Sequence, residues 1–186
     1  MEIFRPIAYN GQMITPDKII AGGQTGADRA GLDWAIFHDI PHGGWCPKGR
    51  KAEDGAIAAH YLLSETPSAS YLQRTEWNVR DSDATVIFTL SFALSAGSKR
   101  TADFARKHAK PCLHISKQGS YESPGERLAA FVSQHGVKVL NVAGTRGSKE
   151  PQAARFAKQT LEDAFFPRPQ SPWLAESCCA NSPDEG

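Results

Sequence analysis

The sequence predicts an α/β, Rossmann-like, three-layer domain with a mostly parallel sheet of about five strands and helices on both faces. Two observations favour this class. Apolar runs rich in β-branched residues alternate with helical segments, which is typical of parallel strands buried on both faces. Glycine-containing corners follow several of these runs, at the carboxyl ends of strands where such folds bind ligands.

The predicted elements alternate along the chain. Helices are expected at 27–38, 70–80, 99–109, 122–135 and 151–165. Strands are expected at 18–21, 42–45, 83–90, 112–116 and 137–143. The run D-A-T-V-I-F-T-L at 83–90 is the clearest strand, because it is a continuous apolar and β-branched segment, and the segment at 42–45 is the weakest.

Length and composition suit one folded domain with short appendages. Of 186 residues, 40% are hydrophobic and 22% are charged, and the formal net charge is +1. Such a chain lacks the overall field that draws proteins to nucleic acid or anionic membranes, so neither is expected as a partner. We expect an N-terminal extension at 1–17, a ligand-binding domain at 18–166 and a disordered C-terminal tail at 167–186. Four cysteines without a C-x-x-C spacing, and no apolar leader, indicate a reduced, cytoplasmic protein.

The first corner, G-G-Q-T-G-A-D at 22–28, ends a strand and opens a helix. Glycines permit positive φ and close ligand approach, and the free N–H groups of a helix N-terminus attract anions. The pattern is neither the dinucleotide fingerprint nor a Walker A loop. A structural interpretation also fits, in which Thr25 caps the helix and Asp28 completes a capping box. The carboxylate of Asp28 would repel a phosphate directly. It would fit better opposite a sugar hydroxyl, a pterin or amine edge, or a metal ion bound to the phosphate. Alternatively, Arg29 offsets its charge.

Two more corners follow strands, at 95–103 (S-A-G-S-K-R-T-A-D) and at 141–148 (N-V-A-G-T-R-G-S). They offer glycines, hydroxyls and cations, namely Gly97, Ser98, Lys99, Arg100, Thr101, Gly144, Arg146 and Gly147. Each corner alone is more often an ordinary turn or helix start than a binding site. Three such corners at one edge of a parallel sheet predict a shared anion pocket.

Four motifs together resemble the molybdenum carrier family, which is similar to molybdenum cofactor carrier proteins. They are G-G-Q-T-G-A-D-R-A (22–30), G-W-C-P-K-G-R-K-A-E-D-G (44–55), R-T-E-W-N-V-R-D-S-D-A-T (74–85) and N-V-A-G-T-R (141–146). The resemblance covers about residues 18–165. It places the chain in a wider group of Rossmann-like folds that includes lysine-decarboxylase-like proteins and DNA-processing protein A, and it implies a homodimer or homotetramer.

The resemblance implies a phosphate-bearing ligand at the strand edge, either the molybdenum cofactor (molybdopterin) or a nucleotide. A carboxylate such as Asp28 or Asp83 would accept hydrogen bonds from a pterin. The chain departs from the expected Gly-Gly-Thr at 96–98, where it has Ala-Gly-Ser. No catalytic residue and no protein ligand to a metal are expected. The residues expected to bind the cofactor are Gly22, Gly23, Gln24, Thr25, Gly26, Asp28, Lys48, Gly49, Arg50, Asp83, Gly97, Ser98, Thr101, Asn141, Gly144 and Arg146.

Two other functions stay open. Phosphoribohydrolases of the wider group carry P-G-G-x-G-T-x-x-E, but the corner at 95–103 lacks those glycines and that glutamate, and Asp103 is its nearest acid. Hydrolysis by Asp28, Glu53 or Asp54 is a second form of that hypothesis. A nucleotide sensor needs the same phosphate pocket and no catalyst. We favour a binding protein that stores or carries the molybdenum cofactor over an enzyme.

Overall fold

The structure, a computed structural model, describes residues 15–119 and 123–167. This part of the chain contains fourteen helices and strands. In chain order they are β1 (Lys18–Ile20), α1 (Ala27–Phe37), β2 (His42–Gly43), β3 (Trp45–Cys46), β4 (Lys51–Ala52), β5 (Gly55–Ala56), β6 (Ser64–Glu65), α2 (Tyr71–Arg80), β7 (Ala84–Thr89), α3 (Ala96–Lys107), β8 (Cys112–Ser116), α4 (Pro124–His135), β9 (Val139–Gly144) and α5 (Ala153–Phe165).

The central sheet has five strands in the order β2-β1-β9-β7-β8, and every neighbouring pair is parallel. The predicted α/β, Rossmann-like class is therefore confirmed. Asn141 of β9 lies beside Ile20 of β1 and Thr85 of β7. This register brings the carboxyl ends of β1, β9 and β7 to the same edge of the sheet, so the three glycine-containing corners become neighbours.

The strand order is a circular permutation of the doubly wound arrangement. If β9 is counted first and β1, β2, β7 and β8 follow, the order becomes the 3-2-1-4-5 of dinucleotide-binding folds. The strand order reverses between β9 and β7, because β1 connects outward to β2 on one side of this position and β7 connects outward to β8 on the other. In open α/β sheets, ligands bind beyond the carboxyl ends of the strands at this switch point.

The two faces of the sheet differ in polarity near its centre. Side chains alternate along a strand, so Val86, Phe88 and Val142 point to one face and join the main apolar core with α1, α4 and α5. Asn141 points to the other face, where its Nδ2 donates to Thr85 Oγ1 at 3.1 Å. Helix α3 contacts β7 and β9, and α2 packs on α3. A buried amide therefore lies beneath the switch point.

The segment between α1 and α2 forms two small sheets that the sequence did not predict in full. Strands β3 and β6 pair in parallel, and β4 and β5 form an antiparallel hairpin. Arg50 organises this segment, because its guanidinium donates to four backbone carbonyls between residues 57 and 63 at 2.9 to 3.1 Å. The expected extension at 1–17 and tail at 167–186 lie largely outside the described residues. Among the described residues, no helix is long and apolar enough to cross a membrane.

Candidate functional site

A cleft lies at the switch point, between the three corners and helix α2. Predicted residues that line it are Gly22, Gln24, Asp28, Gly97, Thr101, Asn141, Gly144 and Arg146. The side chains or backbone of Tyr71, Leu72, Arg74, Thr75, Asn78, Ser95, Arg100, Val142, Ala143 and Lys149 also line it, and none of these was among the expected binding residues. Helix α2 is the element that sequence reasoning about strand ends missed, because it reaches the cleft only through the tertiary fold.

The other predicted residues lie in three places. Gly23, Thr25, Gly26 and Ser98 belong to the same corners without lining the cleft. Lys48 and Gly49 are exposed in a separate loop, and the guanidinium of Arg50 is committed to backbone carbonyls. Asp83 lies at the opposite edge of the sheet, where its Oδ2 accepts from the backbone N–H groups of Lys138 and Val139 at 3.0 and 2.7 Å. Asp83 and Asp28 therefore do not share a site.

Asp28 forms a buried ion pair on the wall of the cleft. Its Oδ2 accepts from Arg74 Nη1 at 2.8 Å, and the two side chains are 6% and 14% exposed. The backbone N–H of Gln24 donates to the same oxygen at 3.4 Å. A Cβ at position 22 would occupy the same space as the guanidinium of Arg74, so glycine at this position leaves room for the ion pair. The carboxylate of Asp28 is thus neutralised by a partner 46 residues away.

The sequence suggested that Arg29 could offset the charge of Asp28, but in the structure it does not. Its guanidinium instead forms a two-pronged ion pair with Asp54, with distances of 2.5 and 2.7 Å, and its Nε donates to the carbonyl of Gly23 at 3.1 Å. The pKa of Asp54 is held below its usual range, chiefly by the hydrogen bonds from Arg29. Arg29 therefore attaches the β4–β5 hairpin to the first corner.

The proposed cap by Thr25 is also wrong. Helix α1 begins at Ala27, and the preceding Gly26, at φ 85°, gives it no side-chain cap. Thr25 Oγ1 donates to a Glu53 carboxylate oxygen and accepts from the backbone N–H of Gly147 at 3.0 Å. The hydroxyl therefore links the first corner to the third instead of closing the helix.

Glu53, at the tip of the β4–β5 hairpin, holds the first and third corners together. Besides the Thr25 hydroxyl, its carboxylate accepts from the backbone N–H of Ser148 at 3.0 Å and from the Ser148 hydroxyl at 2.5 Å. Its own N–H donates to Gln24 Oε1 at 3.0 Å. The hydrogen bonds from Ser148, followed by the one from Thr25, hold the pKa of Glu53 below its usual value.

Replacing Glu53 with glutamine should make the fold less stable at pH 7 and less sensitive to acid. The pKa of Glu53 is lower in the folded than in the unfolded chain, so its contribution is complete above the unfolded value of about 4.3. That contribution is lost as the pH falls through the lower, folded value. Urea unfolding of the wild type and of Glu53→Gln from pH 7 to pH 3 measures the difference. A difference that stays constant over that range would contradict the assignment.

The second corner is a capped helix start. Helix α3 begins at Ala96, three residues earlier than predicted, and the Ser95 hydroxyl accepts from the backbone N–H of Ser98 at 3.4 Å. The Thr101 hydroxyl donates to the carbonyl of Gly97 at 3.3 Å. The glycine of the family pattern that this chain retains, Gly97, has open space around it, because a Cβ there would meet no atom within 4 Å.

Three cations line the cleft besides Arg74, namely Arg100, Arg146 and Lys149. Within the described residues, Arg100 and Lys149 have no acidic partner, and the nearest acid to Arg146 is Glu53 at 3.9 Å. The ion pair of Asp28 with Arg74 is neutral as a unit. The mouth of the cleft is therefore a positive surface that attracts an anion.

Two buried donors of the cleft residues lack a partner. Gln24 Nε2 and Arg74 Nε are inaccessible to solvent, and no acceptor lies within hydrogen-bond distance of either among the described residues. An unsatisfied buried donor costs about 1 to 3 kcal/mol. An acceptor supplied by a ligand would remove that penalty once the side chains around these buried atoms had shifted to admit it, so the two atoms are compatible with an occupied site.

Comparison with known proteins agrees with the fold and the permuted strand order. Residues 19–165 match the model of the circularly permutated YpsA SLOG family. This chain is also similar to a protein of known crystal structure from Syntrophus aciditrophicus SB, called "Putative molybdenum carrier protein". The two sequences are 46% identical, the TM-score is 0.76, and the match covers 81% of this chain and 95% of that one. No curated protein matches. The resemblance to molybdenum carriers is confirmed, and the chain belongs to the circularly permutated YpsA SLOG family.

Proposed function

We propose that this protein binds a phosphate-bearing anionic cofactor at the switch point and that it stores or carries the molybdenum cofactor without cleaving it. The convergence of three glycine-containing corners with Arg100, Arg146 and Lys149 carries the proposal. The choice of cargo is supported by the name of the 46% identical relative. The cytoplasmic location and the homodimer or homotetramer remain predictions from the sequence.

The phosphate would bind where the three cations surround the carboxyl ends of β7 and β9. Charge-assisted hydrogen bonds from guanidinium and ammonium groups to phosphate are roughly twice as strong as neutral ones. Arg74 is less suited to this role, because Asp28 already neutralises its charge. Arg100, Arg146 and Lys149 would therefore supply the affinity for the anionic end of the ligand.

The pterin would lie against the apolar rim of the cleft. Tyr71 and Leu72 form the first turn of α2, line the cleft, and are 38% and 48% exposed. Exposed aromatic and aliphatic surface beside a polar pocket suits a planar ring that carries a charged tail. A phosphate ester of a fused heterocycle combines these two features.

The acids considered for hydrolysis are poorly placed for it. Among the described residues that line the cleft, Asp28 is the one acid, and it is paired with Arg74. Glu53 and Asp54 do not line the cleft, and their carboxylates accept hydrogen bonds from Ser148, Thr25 and Arg29. A carboxyl group can act as a general acid or base only when it lies within reach of the reacting bond. This arrangement favours binding over cleavage.

An equilibrium binding assay tests the proposal. Molybdenum cofactor, freshly released under anaerobic conditions, is titrated against the full chain and then displaced with AMP or ADP. Saturable one-site binding that the nucleotides do not displace supports a carrier. Binding that the nucleotides displace at lower concentration than the cofactor would instead indicate a nucleotide sensor. Appearance of a cleavage product would indicate a hydrolase.

Neutralising a cation at the cleft should weaken binding. We expect Arg100→Gln and Lys149→Gln each to raise the Kd for the released cofactor about five- to tenfold, because each removes one charge-assisted contact with the phosphate. Lys138→Gln is the matched control, since Lys138 is an exposed cation next to Asp83, at the opposite edge of the sheet. An equal effect of all three changes would mean that the cleft is not the binding site.

A further inference from the structure

We propose that Gln24 and Arg74 form a preset pair of donors that recognises one oxygen acceptor of the ligand, and that Gln24 determines specificity for it. This inference rests on the proposed function of the cleft. It follows from the two buried donors, Gln24 Nε2 and Arg74 Nε, which have no acceptor among the described residues. Both belong to residues that line the cleft.

The orientation of the Gln24 amide is determined by its surroundings. Its Oε1 accepts from the backbone N–H groups of Thr25 and Glu53, both at 3.0 Å. A flipped amide would place Nε2 against these two donors, so the oxygen must face them. The residue is only 4% exposed, so Nε2 keeps its orientation as a donor and a ligand oxygen reaches it only where the surrounding side chains shift.

Arg74 is held beside Gln24 by a shared partner. Its Nη1 and the backbone N–H of Gln24 both donate to Asp28 Oδ2. The guanidinium lies directly against the Cα of Gly22, where no side chain obstructs it. The Asp28 ion pair and Gly22 therefore keep Arg74 in place while its Nε remains without an acceptor.

The chemistry of the pair selects the ligand group. A neutral amide donor and a guanidinium donor suit a single oxygen, either a phosphoryl oxygen or the ring carbonyl of a heterocycle. A ligand amine or ring N–H at this position would place donor against donor in a buried site. We therefore expect the site to reject compounds that carry an amino group where the acceptor belongs.

Gln24→Glu is the decisive variant. The carboxylate retains an oxygen for the N–H groups of Thr25 and Glu53, but it presents a second, charged oxygen where Nε2 was. We expect at least a 50-fold rise in Kd at pH 8, because the ligand oxygen then faces an anion. As the pH falls towards 5, the carboxyl group binds a proton and becomes a donor again, so affinity should recover.

Two comparisons separate this effect from other titrations. The charged residues linked to Gln24 or its neighbours are Asp28, Arg74, Glu53 and Arg29, and the wild type contains all of them, so its pH profile provides the baseline. Gln24→Met removes the donor without adding charge, and it should lose affinity about tenfold with no recovery on acidification. Thermal unfolding of each variant shows whether the fold is intact. Wild-type affinity in a folded Gln24→Glu would overturn the proposal.

The probes are inorganic phosphate, AMP and the released cofactor, each measured calorimetrically with the full chain. Loss of affinity for inorganic phosphate in Gln24→Glu identifies the recognised group as phosphate, and loss confined to the released cofactor, whose pterin has a ring carbonyl that adenine lacks, identifies it as a carbonyl. If AMP binds and loses affinity in Gln24→Glu while the cofactor does not bind, the carrier function is contradicted and the donor pair is supported. If the cofactor binds Gln24→Glu as tightly as the wild type, the donor pair is overturned and the carrier function is still supported. Failure of every probe to bind the wild type overturns both.

Discussion

Arg74→Gln is expected to lower the free energy of unfolding by about 3 to 5 kcal/mol, which is the usual cost of leaving one partner of a buried ion pair alone. The carboxylate of Asp28 is 6% exposed and would lose the cation that lies 2.8 Å away. Urea unfolding at pH 7, monitored by circular dichroism, measures the change.

The same helix provides a matched control for Arg74. Arg80 pairs with Asp81, but the two side chains are 44% and 38% exposed, so Arg80→Gln should cost about 1 kcal/mol or less. Asp28→Asn introduced into Arg74→Gln should restore part of the lost stability, because the unpaired buried charge is then gone. Equal effects of Arg74→Gln and Arg80→Gln would show that the Asp28 pair is not buried in solution.

Gly26→Ala should be the most disruptive change in the first corner, at about 2 kcal/mol or more. Gly26 has φ 85°, in the left-handed region that favours glycine. A Cβ there would also meet the backbone carbonyl of Thr145 and lie 2.9 Å from the backbone N of Gly147. The first and third corners would have to separate, so binding of the released cofactor should weaken together with stability.

Gly97→Ala is the contrasting change in the second corner. Gly97 lies in helix α3, and an added Cβ would meet no atom within 4 Å. Alanine is favoured over glycine in a helix by about 0.5 to 1 kcal/mol, so this variant should be slightly more stable than the wild type. Thermal unfolding of both glycine variants checks the pair of predictions. A stabilised Gly26→Ala would contradict the tight contact between the corners.

Local patterns predicted the main sheet well. The strand expected at 112–116 is β8, and the run at 83–90 contains β7, because continuous apolar segments between helices must be buried on both faces. The two small sheets between residues 45 and 65 were largely missed. Their strands are two residues long, which is too short for any periodicity to appear in the sequence.

The polar residues show where local reasoning stops. Arg50 and Arg74 both belong to the motifs that carry the family resemblance, yet one binds backbone carbonyls within its own loop and the other lines the cleft. Asp83 lies at the entrance to a strand, as the pattern indicated, but at the edge of the sheet opposite the cleft. Long polar side chains find partners across the fold, and their spacing in the sequence does not reveal which ones.

The sequence by itself determined the fold class, the three glycine-containing corners and the family, because backbone periodicity, glycine conformation and contiguous motifs are local properties. Only the tertiary structure decided that Arg74 neutralises Asp28, that Glu53 joins two of the corners, and that Gln24 is left with an unsatisfied donor. The physical reason is the separation along the chain between the interacting residues. Ion pairs and hydrogen bonds form between groups that the chain brings together over 28 to 95 residues, and each depends on where the other elements have packed.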